Sequence, residues 1–211
     1  MKNWKLVLGL LIVAIMVSAC VKKESSTGSV ADSKKLIVYY SLFPQITNLN
    51  NRDDRFKQFI SDVEANWRRT FNYINNRGNE NAQSIADSLT IYIYTPRENE
   101  DLFFLANRCN IPYHTLATLN RITHPSMVEA GKPLLLPTIP GIFILDKPES
   151  SLEQLLANSH MSSGDSVQIE INRAPGIHAG KYHFYPGRDF NHTERAFFLN
   201  GGSVVPDTRP W

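Results

Sequence analysis

The stretch IYIYTPRENEDLFFLANRCNIPYHTLATLN, residues 91–120, changes its hydrophobic period in the middle. Its first residues alternate apolar side chains at every second position, which indicates a β-strand. Two short helical patterns follow, and residues 110–112 separate them. Residues 132–137 then supply a second apolar strand. We therefore predict a compact strand–helix–helix–strand unit, and nothing in its residues is typical of a catalytic site.

The start of the chain has the pattern of an export signal. Lys2 and Lys5 precede an unbroken apolar run over residues 6–17, which is too short for a stable membrane span. The run leads into VSAC at residues 17–20. This resembles the bacterial lipoprotein signal, in which small residues precede a cysteine that becomes diacylated and forms the new N-terminus. An ordinary secretory signal with an incidental cysteine is the alternative.

The lipoprotein interpretation sets the expected location of the protein. We predict a signal peptide over residues 1–19, lipidation of Cys20, and a polar, flexible tether over residues 20–35. Acyl chains on Cys20 would hold the protein at an envelope membrane, inner or outer, on the periplasmic side.

Charge and cysteine content exclude two further classes of protein. The formal net charge is +2, and it falls to about zero once Lys2 and Lys5 are removed, so we expect no nucleic-acid partner. Besides Cys20, the chain has only Cys109, so no disulfide framework is expected. Cys109 shares an apolar helical face with Leu102 and Leu105, which indicates a core residue.

The flanking regions predict an α+β fold with a helix before the central unit and a small, mostly β region after it. Residues 36–46 form an apolar stretch that we interpret as one strand interrupted by Pro44. Residues 53–74 form an amphipathic helix whose apolar stripe we assign to the core. The stripe consists of Phe56, Phe59, Ile60, Val63, Trp67, Phe71 and Ile74.

Farther along the chain, residues 138–145 are interrupted by Pro and Gly, and we interpret them as a segment that crosses to the next region. Ser150 and Glu153 form a capping box that opens a helix to Ala157, and strands are predicted at 167–171 and 182–185. The predicted regions are therefore 36–89, 90–138, 139–200 and a loose tail at 201–211.

Several positions in residues 90–138 carry a family pattern. They are NEDL at 99–102, Leu-Ala at 105–106, Leu116 with Asn120, Gly131, and Leu-Pro at 136–137. The segment resembles the LysM domain, a carbohydrate-binding module of bacterial cell-wall proteins. That family has Gly-Asp-Thr-Leu in its first loop, so Asn99 and Asp101 replace a glycine and a threonine here.

The resemblance implies a ligand and a place for it. LysM domains bind chains of N-acetylglucosamine units, as in peptidoglycan, in a shallow groove between the first loop and the loop before the second strand. The implied glycan-binding residues are Asn99, Glu100, Asp101, Leu102, Asn120, Ile122, Thr123 and Met127. Asn120 has a second interpretation, because an asparagine that ends a helix commonly takes a left-handed cap conformation.

A second resemblance concerns the later part of the chain. Residues 141–144, 184–187, 190 and 194–199 are similar to the region before the catalytic domain in LysM-bearing lysostaphin-type zinc peptidases, notably those of spirochaetes. Their zinc motifs, His-x-x-x-Asp and His-x-His, are absent from this sequence. His178, His183 and His192 are the one group close in sequence, and we treat them as surface or strand residues. We expect no catalytic residues, no metal and no cofactor.

Three functions remain open from the sequence. The first is a lipid-anchored protein that binds peptidoglycan glycan strands without catalysis. The second is a truncated or split peptidoglycan endopeptidase, and the third is a non-enzymatic regulator of a wall hydrolase.

Overall fold

A computed structural model describes residues 35–172 and 179–203. Within them the chain forms seven strands and six α-helices. The strands are β1 (Leu36–Tyr39), β2 (Gln45–Ile46), β3 (Ile91–Tyr94), β4 (Leu134–Pro137), β5 (Gly141–Leu145), β6 (Val167–Asn172) and β7 (Gly180–Pro186). The α-helices are α1 (Asp54–Ile74), α2 (Ala82–Ala86), α3 (Leu102–Cys109), α4 (Tyr113–Leu119), α5 (Ser151–His160) and α6 (His192–Leu199). Short 3₁₀ helices occupy Tyr40–Leu42, Pro125–Met127 and Met161–Ser163.

The strands form two mixed sheets. One has the order β1-β6-β7-β5, in which β1 runs parallel to β6 and the other pairs are antiparallel. The other has the order β2-β3-β4, with β2 parallel and β4 antiparallel to β3. The predicted α+β class is therefore confirmed, and so is the strand–helix–helix–strand order β3-α3-α4-β4.

The segment at residues 36–46 differs from the prediction of one interrupted strand. It forms two strands that belong to different sheets, because the 3₁₀ helix at Tyr40–Leu42 turns the chain between them. The Phe43 amide donates to the Tyr40 carbonyl at 3.0 Å and closes this turn. Pro44 is bonded to the second sheet, because its carbonyl accepts a hydrogen bond from the Ile93 amide of β3 at 3.0 Å.

Helix α1 begins where the sequence predicts, but only part of its apolar stripe is buried. Phe59 packs edge-on against Tyr92 of β3, with ring centroids 5.2 Å apart. Phe71 and Ile74 are 52% and 51% exposed, so assigning them to the core was wrong. The physical reason is that the buried face of the later turns passes through Asn66 and Thr70, which are 6% and 0% exposed. There Ile74 touches the fold at Gly187, where an added Cβ would come within 2.5 Å of the Ile74 Cδ1.

The central unit shares its hydrophobic core with both flanking regions. One cluster joins buried residues of α1, of the central unit, and of β5 and α5; they include Phe56, Phe59, Val63, Tyr92, Leu102, Leu105, Leu136, Ile142, Ile144 and Leu152. A second cluster lies between α2, β3, β4 and the four-stranded sheet. Residues 90–138 are thus packed into one compact unit with their surroundings.

The region after residue 138 contains helices as well as strands. The predicted crossing contains strand β5, which pairs with β7 from Gly141↔Pro186 to Leu145↔Tyr182. The capping box at Ser150 is confirmed, with Glu153 N donating to Ser150 Oγ at 3.2 Å, and α5 continues to His160. Helix α6 was not predicted. Its own capping box, Asn191 with Glu194, is the sequence signal that could have identified it.

Candidate functional site

The two loops that flank the α3–α4 pair lie side by side. The first loop covers residues 95–101 and the second covers residues 120–133. They meet because β3 and β4 are antiparallel neighbours, which places Tyr94 opposite Leu134 at the ends from which the loops leave. The Gly131 amide donates to the Pro96 carbonyl at 2.9 Å and joins the loops directly. This bond joins the loops close to the strands from which they leave.

Hydrogen bonds to one carboxylate shape the first loop. Glu100 Oε2 accepts from the Tyr94 hydroxyl at 2.7 Å and from the Arg97 amide at 2.8 Å. Burial and the bond to Glu100 raise the pKa of Tyr94 well above its usual range, so the phenol keeps its proton. The Glu100 side chain therefore stabilises the conformation of the first loop.

Asn99 and Asp101 keep two backbone features of the loop although they replace glycine and threonine. Asn99 has φ +67°, the left-handed region that glycine favours and that asparagine tolerates better than most residues. Asp101 caps α3, and its Oδ1 accepts from the Phe104 amide at 2.7 Å. Asn99 thus supplies the left-handed residue of this loop and Asp101 supplies the cap, and the Asn99 side chain is exposed.

Arg97 ties the first loop to the segment before α1. Its guanidinium donates to the Asn48 side chain and, at 3.3 Å, to the Thr47 carbonyl. Asp53 holds that segment in turn, since its Oδ2 accepts from the Thr47 and Asn48 amides at 2.9 and 2.8 Å. Nothing in the sequence signalled this contact, because the partners are far apart along the chain.

Asn120 is a buried bridge between α4 and β4. Its side-chain nitrogen donates to the Leu116 and Leu135 carbonyls, both at 2.8 Å, and its oxygen accepts from the Leu135 amide at 2.7 Å. The residue is only 4% exposed. It does end α4, but with φ −96°, so the predicted left-handed cap was wrong. Arg121 takes the left-handed conformation instead, with φ +54°.

Arg121 fixes the second loop to the start of α5. Its Nε lies 2.7 Å from Glu153 Oε1 and its Nη2 lies 2.6 Å from Glu149 Oε2. Burial alone would raise the pKa of Glu153, but hydrogen bonds from Arg121 and from the Glu149 and Ser150 amides hold it below its usual value. Both loops are therefore anchored to elements outside the central unit.

The remaining predicted site residues divide by exposure. Leu102 and Ile122 are 0% and 4% exposed and belong to the hydrophobic core. Thr123 is half-buried, and its hydroxyl donates to the Met127 sulfur at 3.1 Å. Met127 is 49% exposed at the end of a 3₁₀ helix. Three of the eight predicted residues have side chains that a ligand can reach: Asn99, Thr123 and Met127. The other five side chains either bond to the backbone or are buried.

The described histidines do not form a metal site. No group of three or more His, Cys, Asp and Glu side chains in residues 35–172 and 179–203 is arranged to hold a metal ion. His183 on β7 pairs with Asp146 Oδ1 at 3.0 Å, whereas His192 is an exposed residue of α6. His178 lies outside the described residues, as does Cys20.

A polar cleft of about 650 Å³ lies near the end of α1, and its lining includes one member of a buried acid–base pair. His160 lines it, and His160 Nε2 lies 3.0 Å from Oε1 of the fully buried Glu194. Burial alone would raise the pKa of Glu194, but hydrogen bonds from His160 and the Asn191 amide keep it below its usual value.

Cys109 is a core residue, as predicted. It is 0% exposed, and burial raises the pKa of its thiol to about 12. The thiol is thus uncharged at neutral pH and unreactive.

In the described part of the chain, no helix has the length and apolar character needed to span a membrane.

Comparison with known proteins identifies one domain. Residues 94–137 match the model of the LysM domain, from the last residue of β3 to the last residue of β4. No curated protein and no solved structure matches the chain.

Proposed function

We propose that this protein is a lipid-anchored component of the bacterial cell envelope that binds peptidoglycan glycan strands through the groove between loops 95–101 and 120–133. The observation that carries the proposal is the LysM match at residues 94–137, which spans both loops. LysM domains act outside the cytoplasm, which agrees with a periplasmic location. The Gly131–Pro96 hydrogen bond holds the two walls of the groove together in the absence of ligand.

The groove can bind a saccharide through backbone groups and a few side chains. Asn99 offers an exposed amide, and Met127 offers a polarizable apolar surface for a sugar face. Leu102, Asn120 and Ile122 are buried, so they can contribute only through the conformation of the loops. A single shallow groove buries few contacts, so a dissociation constant on the order of 0.1 to 1 mM is expected.

A sedimentation assay tests this function. The full chain, purified in detergent, is mixed with insoluble peptidoglycan, and soluble chitin oligomers are added as competitors. We expect the protein in the pellet, release by the oligomers, and weaker retention for Thr123→Ala and Met127→Ala. Met161→Ala is the matched control, because Met161 is an exposed methionine outside both loops. Retention that is equal for all variants would place the binding surface elsewhere.

We further propose that the chain alone does not hydrolyse peptidoglycan. The sequence lacks the zinc-ligand spacing of the related peptidases, and a catalytic zinc needs three protein ligands and an open position. Purified protein is incubated with zinc and wall material, and soluble fragments are analysed. Fragment release that a chelator abolishes would establish an enzyme instead.

A further inference from the structure

A second cleft lies along one side of α3 and at the junction of α3 with α4. It has a volume of about 390 Å³ and opens between α1, the end of α3 and the start of α4. Its main walls are Trp67, Phe103, Ala106, Asn107, Asn110 and Tyr113. The cleft extends along α3, from Phe103 in its first turn to Asn110 just past its end.

The aromatic walls of this cleft are held in place before any ligand arrives. Trp67 Nε1 donates to the Asn110 carbonyl at 2.8 Å, which fixes the indole against the end of α3. The Tyr113 ring packs edge-on against Phe103, with centroids 5.3 Å apart, and stacks on Phe198 at 5.8 Å. Rings that are already ordered lose little conformational entropy on binding.

The polar walls are neutral amides with unused hydrogen-bonding capacity. The side chains of Asn107 and Asn110 are exposed and make no hydrogen bond to any residue of the described part. Each amide provides a donor and an acceptor. Among the residues that the structure describes, no charged side chain lines the cleft, so these walls offer no ionic partner to a phosphate or a metal cation.

These features together select a class of ligand. The cleft is open and shallow, so it cannot enclose an apolar molecule. A pyranose ring suits it, because the ring presents one C–H face to an aromatic side chain and keeps its hydroxyl groups hydrated or paired with amides. We propose that this cleft is a second saccharide site that takes one N-acetylhexosamine ring, with the aromatic walls against the ring face and the two asparagines on its acetamido and hydroxyl groups.

The cleft shares no residue with the groove between loops 95–101 and 120–133, so the two proposals can fail independently. If both sites are filled by one glycan, the second contact raises retention on the wall through effective concentration.

The test uses the full chain in detergent, labelled with 5-fluorotryptophan. Of the three tryptophans, only Trp67 lies in the described fold, and Trp67→Phe assigns its ¹⁹F resonance. Titration with triacetylchitotriose is expected to shift this resonance saturably. Phe103→Ala and Asn107→Ala should each raise the half-saturating concentration by about fivefold, the loss of one apolar or hydrogen-bond contact. Phe104→Ala is the matched control, because Phe104 is equally exposed on α3 but does not line the cleft.

The outcomes separate this site from the groove. A saturable Trp67 shift that persists in Thr123→Ala and Met127→Ala supports the second site whatever happens to wall sedimentation. No saturable shift, or a shift unaffected by Phe103→Ala and Asn107→Ala, would refute it. Cellotriose, which lacks acetamido groups, should need at least fivefold more ligand, and an equal response would refute the assignment to an N-acetylhexosamine.

Discussion

The Asn120 amide joins a helix to a strand with three hydrogen bonds, all in a site closed to water. Its nearest sequence signal was its position at the end of an apolar helical pattern, which fits a cap, a ligand contact or a bridge equally well. Only the pairing of β3 with β4 brings Leu135 within reach. For this reason the sequence identified Asn120 as a notable residue but could not predict its role.

Replacing Asn120 with alanine should destabilise the whole fold. The change leaves the Leu135 carbonyl and amide without their buried partner, whereas the Leu116 carbonyl keeps the backbone amide of residue 120, and the loss costs about 2 to 4 kcal/mol. Denaturant unfolding followed by circular dichroism measures the loss. Asn158→Ala, at an exposed position of α5, serves as the control and should change stability little. Equal midpoints for the two variants would contradict the bridging role.

Glu194 should make stability depend on pH in the acid range. Its pKa is lower in the folded chain than its ordinary value of 4.5, so the charged form stabilises the fold at higher pH. That contribution is complete above about pH 4.5 and is lost as the pH falls through the folded-state pKa. Unfolding free energies measured from pH 7 to pH 3 should therefore decline less steeply for Glu194→Gln than for the original chain.

The control for this measurement is Glu64→Gln, at an exposed position on α1. It should follow the original chain at every pH. A Glu194→Gln curve parallel to that of the original chain would mean that Glu194 does not contribute to acid sensitivity.

Helix α1 depends on the residue that precedes it. Asp53 Oδ1 accepts from the Arg55 and Phe56 amides at 2.9 and 3.1 Å, while Oδ2 holds the Thr47 and Asn48 amides. Burial alone would raise the pKa of Asp53, but these backbone bonds lower it. One carboxylate thus starts the helix and shapes the turn that contacts Arg97.

Asp53→Ala should destabilise the protein by about 1 to 2 kcal/mol, since it removes a helix cap and a turn together. Asp54→Ala is the matched control, because Asp54 is the next residue and its carboxylate is 90% exposed beside Lys57. Thermal unfolding should separate the two variants clearly. If both variants lose a similar amount of stability, then the negative charge at the start of the helix stabilises the protein and the specific hydrogen bonds of Asp53 add nothing to it.

Elements with a strong local pattern were predictable, and those defined by distant partners were not. Periodicity identified α1, α3, α4 and the paired strands around them. It could not place β1 and β2 in different sheets, because neither strand's sequence specifies its neighbour. The loops show the same division: family spacing located them, and the apolar helical face indicated the burial of Leu102, whereas the burial of Ile122 depends on a hydrophobic cluster shared with distant elements.

The anchor of the whole protein rests on Cys20. We expect Cys20 to carry the lipid and the protein to partition with membranes, and Cys20→Ser to leave it unlipidated and released on cell lysis. Mass spectrometry of the mature N-terminus, together with membrane fractionation, checks both expectations. An unmodified mature N-terminus beyond residue 20 would favour the ordinary secretory signal instead.

The order of strands in the first folded segment has a mechanical consequence if the protein connects a membrane to the wall. Tension from the membrane side then enters the fold at β1, whose parallel pairing with β6 and the Lys35–Glu170 ion pair bear it first. Strand β2 and the Thr47–Asn48 contact to Arg97 come next along the line of force. Separation of β1 from β6 would lengthen the link between membrane and wall without changing the pairing of β3 with β4, from which the two loops leave.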